Sequence, residues 1–481
     1  MGIIPNKRRL GITVIKFRWD CGTFSPLIAT NVSARKLIKT IEVQGLKPVN
    51  VGIVGLGTVG SGTFNVLTRN AEDIARRAGR AIQVTHIGAR RDNPAADTTG
   101  YKVSRDILDV VNDPDVDILV ELIGGTTIAK DIVLQAIAQG KHVVTANKAL
   151  IAEYGNEVFE AAQEKGVNVA FEAGVAGGIP IIKAIREGLS ANSLKWVAGI
   201  INGTGNFILT EMRDKGRDFN DVLKEAQELG YAEADPTFDV EGIDAAHKLT
   251  ILASIAFGIP LQFEKAYTEG ISKITTADVE YAEELGYRIK HLGVTRIREA
   301  GVELRVHPTL IPEGRLIANV NGVMNAVLAM GDAVGPTLYY GPGAGAEPTA
   351  SAVVADVIDV ARVLTTDPTN RVPHLAFQAD SLHDLPILPI EEIETAYYLR
   401  VRAKDHPGVL ANVAGVLSEA NINIESILQK EAEESNGEVP IILITRRVFE
   451  KEMNQAISRI EAMDDIVGEV VRIRLEHLDA E

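Results

Sequence analysis

The segment Leu229 to Thr250, LGYAEADPTFDVEGIDAAHKLT, crowds Glu233, Asp235, Asp239, Glu241 and Asp244 around a single lysine, Lys248. Carboxylates can grip an amine, and a lysine can give or take a proton at an oxygen, so this mixture suits acid–base work on a small polar substrate. Gly230, Pro236 and Gly242 break the first half into turns, while Ile243, Ala246, Leu249 and Ile251 recur at helical intervals after Gly242. Asp244 and Lys248 therefore share one helix face. An acid four residues ahead of a lysine also describes an ordinary solvated helix pair, worth about 0.3 kcal/mol, so the rest of the chain has to decide between the two.

The elements that would position such a site begin at Val51. The apolar run VGIVG leads into Gly55-Leu56-Gly57-Thr58-Val59-Gly60 and then a helical pattern through Val66 and Leu67. Strand, glycine turn and helix in that order are the dinucleotide-binding context. Gly55 makes the tight turn, Gly57 lets a pyrophosphate reach the backbone, and Gly60 lets helix and strand pack closely. The second strand, Ala81 to Gly88, runs into Ala89-Arg90-Arg91, where two guanidinium groups suit the 2′-phosphate of NADP; Asp92 beside them leaves NAD open, and a solvated loop pair is the plainer alternative. Strands follow at Ile118 to Ile123 and His142 to Thr145, the latter ending in Ala146-Asn147-Lys148. Parallel sheets bind ligands beyond the carboxyl ends of their strands, which puts Lys148 beside the place of a nicotinamide.

The strand Val167 to Phe171 runs into Glu172-Ala173-Gly174-Val175-Ala176-Gly177-Gly178-Ile179-Pro180. Its exposed carbonyls with the Glu172 carboxylate would make an all-oxygen cage for a hard cation, or the turn is a crossover into a second domain, and the two are compatible. Later, Gly341-Pro342-Gly343-Ala344-Gly345 precedes a helix with Thr349 and Ser351 near its start, which either returns the chain to the cofactor or only crosses between domains.

Composition narrows the chemistry. The 481 residues are 46 % hydrophobic and 24 % charged, enough for about three domains with large cores, and no run of about 18 uncharged apolar residues suggests a membrane span. A net charge of −16 argues against general nucleic-acid binding. The single cysteine, Cys21, excludes internal disulfides and multi-cysteine metal sites and fits a reducing cytoplasm. Aldehyde dehydrogenases that pass through a thioester need a cysteine beside the nicotinamide; from Val49 onward there is none, which leaves direct hydride transfer between alcohol and aldehyde. Residues 1–46 are basic in an otherwise acidic chain and read as a disordered N-terminal extension, with an organelle-targeting peptide or an over-extended start as alternatives. None of the histidines forms a metal motif; His142 and His307 in apolar strands and His247 on a different helix face from Lys248 read as structural.

The strings GLGTVG, TANKAL, EAGVAGGIP, GIINGTGNFIL, LGYAEADP, DAAHKLT and GPGAGAEPTASAVVAD resemble homoserine dehydrogenase in content and order, over residues 49 to about 370. The resemblance implies reversible NAD(P)-dependent interconversion of L-homoserine and L-aspartate 4-semialdehyde, on the route to threonine, methionine and isoleucine. It also implies catalysis by Lys248, Lys148 and Asp244, substrate binding by Glu233, Asp244 and Lys148, and a sodium-like cation at Glu172, Val175, Gly177 and Ile179. Cofactor contacts would fall to Gly55, Gly57, Thr58, Val59, Gly60, Arg90, Arg91, Lys148 and Gly345. Asp235, Asp239 and Glu241 are left as turn and surface charges. His291 departs from the family pattern, which usually has leucine there, and a local repacking is expected.

Between Asp367 and Ala396 a proline-bearing stretch reads as a linker. Beyond it, Tyr397 to Ala403 alternates as a strand, Asp405-His406-Pro407-Gly408 turns into a helix over 409–420, Asn421 to Gln429 and Val439 to Arg446 look like strands, and a helix from Phe449 precedes a last strand, Ile466 to Leu475. With the turn DHPGVL and Asn421-Ile422-Asn423-Ile424, this βαββαβ pattern resembles an ACT domain, a family of amino-acid-sensing modules; dimerisation without a ligand is the alternative. The resemblance implies an effector, threonine being the obvious one, at Asp405, His406, Gly408, Val409, Leu410 and Asn421.

The expected architecture is α/β: an NAD(P)-binding Rossmann-type domain over 47–176, completed by about 336–370; an α+β catalytic and dimerisation domain over 177–335; a linker over 371–395; and the ACT domain over 396–478. Both family resemblances imply a homodimer or homotetramer. A catalytically silent NADP-binding amino-acid sensor is the alternative function, but such a protein would not need Lys148, Glu233, Asp244 and Lys248 together.

Overall fold

A computed structural model describes residues 46–430 and 437–479. The basic extension and Cys21 lie outside the described residues, apart from Leu46 at the extension's end.

Six strands, β1 (Val49–Val54), β2 (Ile82–Gly88), β3 (Lys102–Ser104), β4 (Ile118–Glu121), β5 (His142–Thr145) and β6 (Val169–Ala170), form a parallel sheet in the order β3-β2-β1-β4-β5-β6. This is the dinucleotide-binding order. Strand β1 is buried along its whole length, which is why it reads as a continuous apolar run rather than an alternation. Two expected strands are shorter than their apolar runs. β4 stops at Glu121 because that carboxylate turns back to accept the Ile123 and Gly124 N–H groups at 2.9 and 3.2 Å. β6 begins late because the Val167 N–H still closes the preceding helix on the Ala162 carbonyl.

The chain then leaves this sheet for a second one of 11 strands. Its path runs β12 (Gly335–Pro342), β11 (Met324–Gly331), β7 (Leu194–Ile200), β9 (Tyr287–Arg298), β10 (Gly301–Pro312), β17 (Val471–Leu475), β13 (Glu394–Lys404), β15 (Glu438–Thr445) and β14 (Ile424–Gln429), with β8 (Tyr267–Thr268) on β10 and β16 (Val448–Phe449) on β13. Strands β7 (Leu194–Ile200), β9 (Tyr287–Arg298), β10 (Gly301–Pro312), β11 (Met324–Gly331) and β12 (Gly335–Pro342) are mutually antiparallel neighbours. Afterwards the helix Ala346–Val363 returns to the first domain and lies on the helix Thr58–Arg69 so closely that a Cβ at Gly62 would stand 2.5 Å from the Ala346 carbonyl oxygen.

The stretch 371–395 is irregular, with 3-10 turns at Ala379–Ser381 and Ile390–Glu392, but it is anchored. Leu375 and Ile387 are buried, His374 stacks on Phe159, and Pro386 and Leu388 exchange backbone hydrogen bonds with Val302. The last module has β13 (Glu394–Lys404), the helix Val409–Glu419, β14 (Ile424–Gln429), β15 (Glu438–Thr445), the helix Glu450–Glu461 and β17 (Val471–Leu475). Gly468, at φ +74°, breaks the apolar run and delays β17; Asn421, at φ +57°, holds the left-handed turn after its helix, so β14 starts three residues later than the pattern suggests. One face of this sheet is covered by its own helices through Val413, Leu417, Met453 and Ile460, the other by the middle domain through Tyr398, Ile442 and Ile473 against Leu209 and Met212. Parallel pairing of Thr309 and Leu310 with Arg474 and Leu475 joins the strands of this module to those of the middle domain within the one 11-stranded sheet.

Candidate active site

The two candidate lysines meet on one carboxylate. Lys148 opens the helix Lys148–Lys165, capped by the Asn147 side chain, which accepts the Leu150 N–H at 3.1 Å. Asn147 is itself fixed: its amide donates to the Gly125 carbonyl at 2.6 Å, and its N–H donates to the Thr145 hydroxyl, which donates to the buried Glu121 at 2.5 Å. The ends of β4 and β5 are thus tied together under Lys148. Its Nζ lies 3.2 Å from Asp244 Oδ1, and Lys248 Nζ lies 2.6 Å from Asp244 Oδ2. Lys248 also donates to the Ile201 carbonyl at 2.7 Å. Asp244 and Lys248 share a face of the helix Ile243–Phe257, which is buried nearly all round, so the pair is enclosed and is not the solvated helix pair its spacing also allowed.

Burial alone would raise the Asp244 pKa, but the Lys248 and Lys148 ammonium groups and the hydrogen bonds from Lys248 and Asn202 hold it well below the usual carboxylate range. For Lys248 the balance goes the other way. Desolvation pulls its pKa down, Asp244 resists, and the second cation, Lys148, adds to the fall. The ammonium is therefore a better acid, and the amine a more available base, than a free lysine would be.

Two residues join this cluster that sequence reasoning did not select. Asn202, just past β7, donates through Nδ2 to Asp244 Oδ2 at 2.9 Å and to Asp239 Oδ1 at 2.8 Å. Asp239 is accordingly not a surface charge: it is half-buried, shares the Asn202 amide with Asp244, and burial pushes its pKa up. The signal available for Asn202 was its place as the cap of a glycine-opened helix just past an apolar strand; the parallel-sheet rule that pointed to Lys148 does not extend to it, since β7 is antiparallel to its neighbours. Nothing in the spacing marked Asp239, because the short helix Thr237–Val240 that aims it has no clear pattern. Asp235 and Glu241 do serve locally, capping the Thr237 N–H and accepting the Ser272 hydroxyl. Glu233 is exposed in the turn before Pro236, and its carboxylate contacts none of the cluster among the described residues.

The glycine turn has the shape a pyrophosphate needs. Gly55 sits at φ +100°, a Cβ on Gly60 would stand 2.0 Å from the Gly55 carbonyl oxygen, and a Cβ on Gly57 would meet nothing within 4 Å. Thr58 and Val59 start a helix whose N-terminus has no side-chain cap, leaving its amide dipoles for an anion. Arg90 and Arg91 are exposed beyond β2 with no ion pair among the described residues, whereas Asp92 is held by Arg105 at 2.7 Å. Gly345, at φ +118°, caps the returning helix.

Glu172 is buried, and its two oxygens accept the Ile182 and Lys183 N–H groups at 2.9 and 2.8 Å. It thereby caps the short helix Ile181–Lys183, a role the cage picture did not foresee. Burial, helped by Asp356, raises its pKa to about 7. The Ile179 carbonyl accepts the Ile181 N–H at 2.7 Å, while Val175 and Gly177 lie in the turn between. No cluster of three or more histidine, cysteine or acidic side chains suited to a metal occurs among the described residues.

In the last module, Asp405, His406, Pro407, Gly408, Val409 and Leu410 line a cavity of about 350 Å3, closed by Lys404, Gln429, Val439 and Ile441. Gly408 takes φ +101° as it opens the helix, and His406 Nε2 is 2.9 Å from Asp465. Asn421 stands at the far end of that helix and is not part of the cavity.

Three family models match the chain. Residues 55–172 match the family model described as homoserine dehydrogenase, NAD binding domain, residues 180–358 match homoserine dehydrogenase, and residues 397–465 match the ACT domain. Homoserine dehydrogenase of Pseudomonas aeruginosa is 72 % identical over 434 residues, 90 % of this chain and 100 % of that protein. The homoserine dehydrogenase of Neisseria gonorrhoeae is 57 % identical over 440 residues, again 90 % and 100 %. The crystal structure of a homoserine dehydrogenase from Thiobacillus denitrificans superposes with a TM-score of 0.86 at 65 % identity, covering 90 % of this chain and 99 % of the other. A hyperthermophilic archaeal homoserine dehydrogenase in complex with NADPH gives a TM-score of 0.55 at 28 % identity, covering 65 % and 98 %. No helix among the described residues is long and apolar enough to cross a membrane.

Proposed function

Because the chain belongs to the homoserine dehydrogenase family, an NAD(P)-dependent oxidoreductase acting on a CH–OH group, we propose that the Lys148–Asp244–Lys248 cluster is where it interconverts homoserine and aspartate semialdehyde. The observation that carries this reading is the sharing of one buried carboxylate by two lysines drawn from two domains. A nicotinamide cofactor held by the glycine turn would supply or accept the hydride. Everything else falls to side chains. As the aldehyde is reduced, its oxygen gains negative charge, which Lys248 neutralises by donating a proton while Lys148 adds positive field. In the other direction the neutral Lys248 amine takes the hydroxyl proton, helped by its lowered pKa. Asp239 and Asp244, linked through Asn202, suit the substrate ammonium; Glu233, exposed in the turn and apart from the cluster, has only its family resemblance to support the same role.

The cofactor is NAD(P). We favour NADPH, because Arg90 and Arg91, just past the end of β2, make no ion pair among the described residues and suit a 2′-phosphate, while Asp92 is engaged by Arg105. A sodium ion at Glu172 and the carbonyls of Val175, Gly177 and Ile179 would supply positive charge to a buried carboxylate that already repels Asp356; the residues fit a hard monovalent ion. The ACT domain points to an amino-acid effector, which we take to be threonine, held at the Asp405–Leu410 turn, where backbone N–H groups can meet a carboxylate. We further place the enzyme in the cytoplasm, which a one-cysteine chain suits, as a homodimer or homotetramer; the exposed Tyr340 on edge strand β12 fits burial between copies. Mass photometry decides the last point. The function is tested by NADPH consumption on adding aspartate semialdehyde, with and without threonine: no turnover overturns the assignment, and no threonine effect on rate or melting temperature overturns the regulatory part.

A further inference from the structure

Glu269 lies outside the cluster described above, yet it touches both the ACT domain and the segment that carries Asp239 and Asp244. One edge of β10 is occupied end to end by two strands, β8 beside Arg305 and Val306 and the ACT strand β17 beside Thr309 and Leu310. Where they meet, Arg474 of β17, fully buried, reaches back to Glu269 Oε2 at 2.7 Å and to the Tyr267 hydroxyl at 3.1 Å, and Tyr267 donates to the same Glu269 oxygen at 2.8 Å. Arg474 is held on its other side by Glu450 of the ACT helix at 2.7 Å, and Glu450 accepts from Tyr397 of β13 at 3.1 Å. The grip on Glu269 therefore originates in the ACT core.

From Glu269 the contacts continue into the site. Its carbonyl accepts His291 Nε2 at 3.0 Å, and His291 lies against Gly242, where a Cβ would come within 3.2 Å of the ring. Gly242, at φ +85°, opens the helix that bears Asp244 and Lys248. The next residues are tied in as well: a Cβ on Gly270 would stand 2.8 Å from the Val240 carbonyl oxygen, and the Ile271 N–H donates to that carbonyl at 2.9 Å. Val240 follows Asp239 directly. Residues 267–272 thus form a packed and hydrogen-bonded bridge between β17 and the segment 239–244. His291 supplies one of its hydrogen bonds.

We propose that Glu269 is a positioning residue through which Arg474 of the ACT domain sets the placement of Asp239 and Asp244, so that a movement of β17 is read at the substrate-binding side of the active site. The proposal rests on those two carboxylates facing the substrate. It differs from a purely structural role in its kinetic signature: homoserine binding changes, while cofactor binding, which depends on the other domain, does not.

The experiment is steady-state kinetics and amide hydrogen exchange on the full chain carrying Glu269→Gln, which keeps size and one hydrogen bond but loses the charge. KM for homoserine rises about fivefold, the scale of coupling through a contiguous packed network, KM for NADPH stays at its wild-type value, and exchange at 239–244 becomes faster. Tyr267→Phe, which deletes one hydroxyl, moves the same quantities in the same direction and decides the matter if Glu269→Gln does not fold. Wild-type homoserine KM and exchange in a folded variant overturn the coupling. Lys248→Ala, assayed in parallel, keeps that failure distinct: if it retains activity, the site assignment itself has failed.

Discussion

Lys248→Ala removes the group on which the chemistry depends, and its cost can be worked from the contacts of Nζ. A protonated lysine has three N–H donors. The Ile201 carbonyl at 2.7 Å and Asp244 at 2.6 Å occupy two of them, leaving one for the substrate oxygen. Loss of a positioned general acid or base lowers turnover by about 100- to 10,000-fold, which at 1.36 kcal/mol per decade is about 3 to 5 kcal/mol of barrier. Stability should suffer less. Removing one partner of a buried pair costs about 3–5 kcal/mol when the remaining charge is stranded, but Asp244 would keep Lys148 at 3.2 Å and Asn202 at 2.9 Å. The assay is NADPH disappearance with aspartate semialdehyde, read as kcat beside a thermal melt of the same preparation. A folded Lys248→Ala protein retaining more than about a tenth of wild-type kcat would refute the proton-transfer role, because a positioned general acid or base contributes at least about 100-fold.

Other expectations follow from the same contacts. Homoserine oxidation needs the neutral Lys248 amine, so its rate rises with pH through the Lys248 pKa; Asp244 holds that pKa up, and Asp244→Asn should shift the residual activity's rising limb to lower pH. A limb that stays in place or moves alkaline contradicts the assignment. Arg90→Ala should raise KM for NADPH about tenfold, the loss of one charged hydrogen bond of ~1.5 kcal/mol, and leave NADH unchanged; equal effects on both would exclude a 2′-phosphate contact. Glu172 binds its proton more tightly in the folded protein, with a pKa of about 7, so its ionisation destabilises the fold progressively as pH rises from the ordinary carboxylate range to about 7. Sodium should offset this, and the melting temperature in sodium chloride minus that in tetramethylammonium chloride should grow as pH passes 7; a flat difference argues against the ion. Gly408→Ala, at φ +101°, strains the ACT turn by about 1–2 kcal/mol and should abolish the threonine response without changing basal kcat.

The cofactor domain was legible because its signals are local: a buried strand, three spaced glycines and a helix occupy residues 49–69 in succession. The position of Lys148 just past the end of β5 was legible too, from the apolar run that ends before it. Asp239 and Asn202 were not, because they meet only when β7 and the short helix Thr237–Val240 converge, and their partnership spans 37 residues. Glu172 was read for its charge and not for its two backbone partners, which depend on a helix starting nine residues later. Sheet continuity through β10 and β17 was likewise hidden, because only tertiary packing brings Thr309 beside Arg474. The ACT module was readable from its turn and alternation, yet the Glu269 bridge beneath it had no sequence signature.

The assignment of the active site meets its most direct test in a crystal structure of the ternary complex with homoserine and an unreactive NADPH analogue. It should show the homoserine hydroxyl oxygen within hydrogen-bond distance of Lys248 Nζ, and the substrate ammonium against the Asp239 and Asp244 carboxylates with Lys148 beside them. Homoserine bound with its hydroxyl away from both lysines, or its ammonium away from both carboxylates, would contradict it.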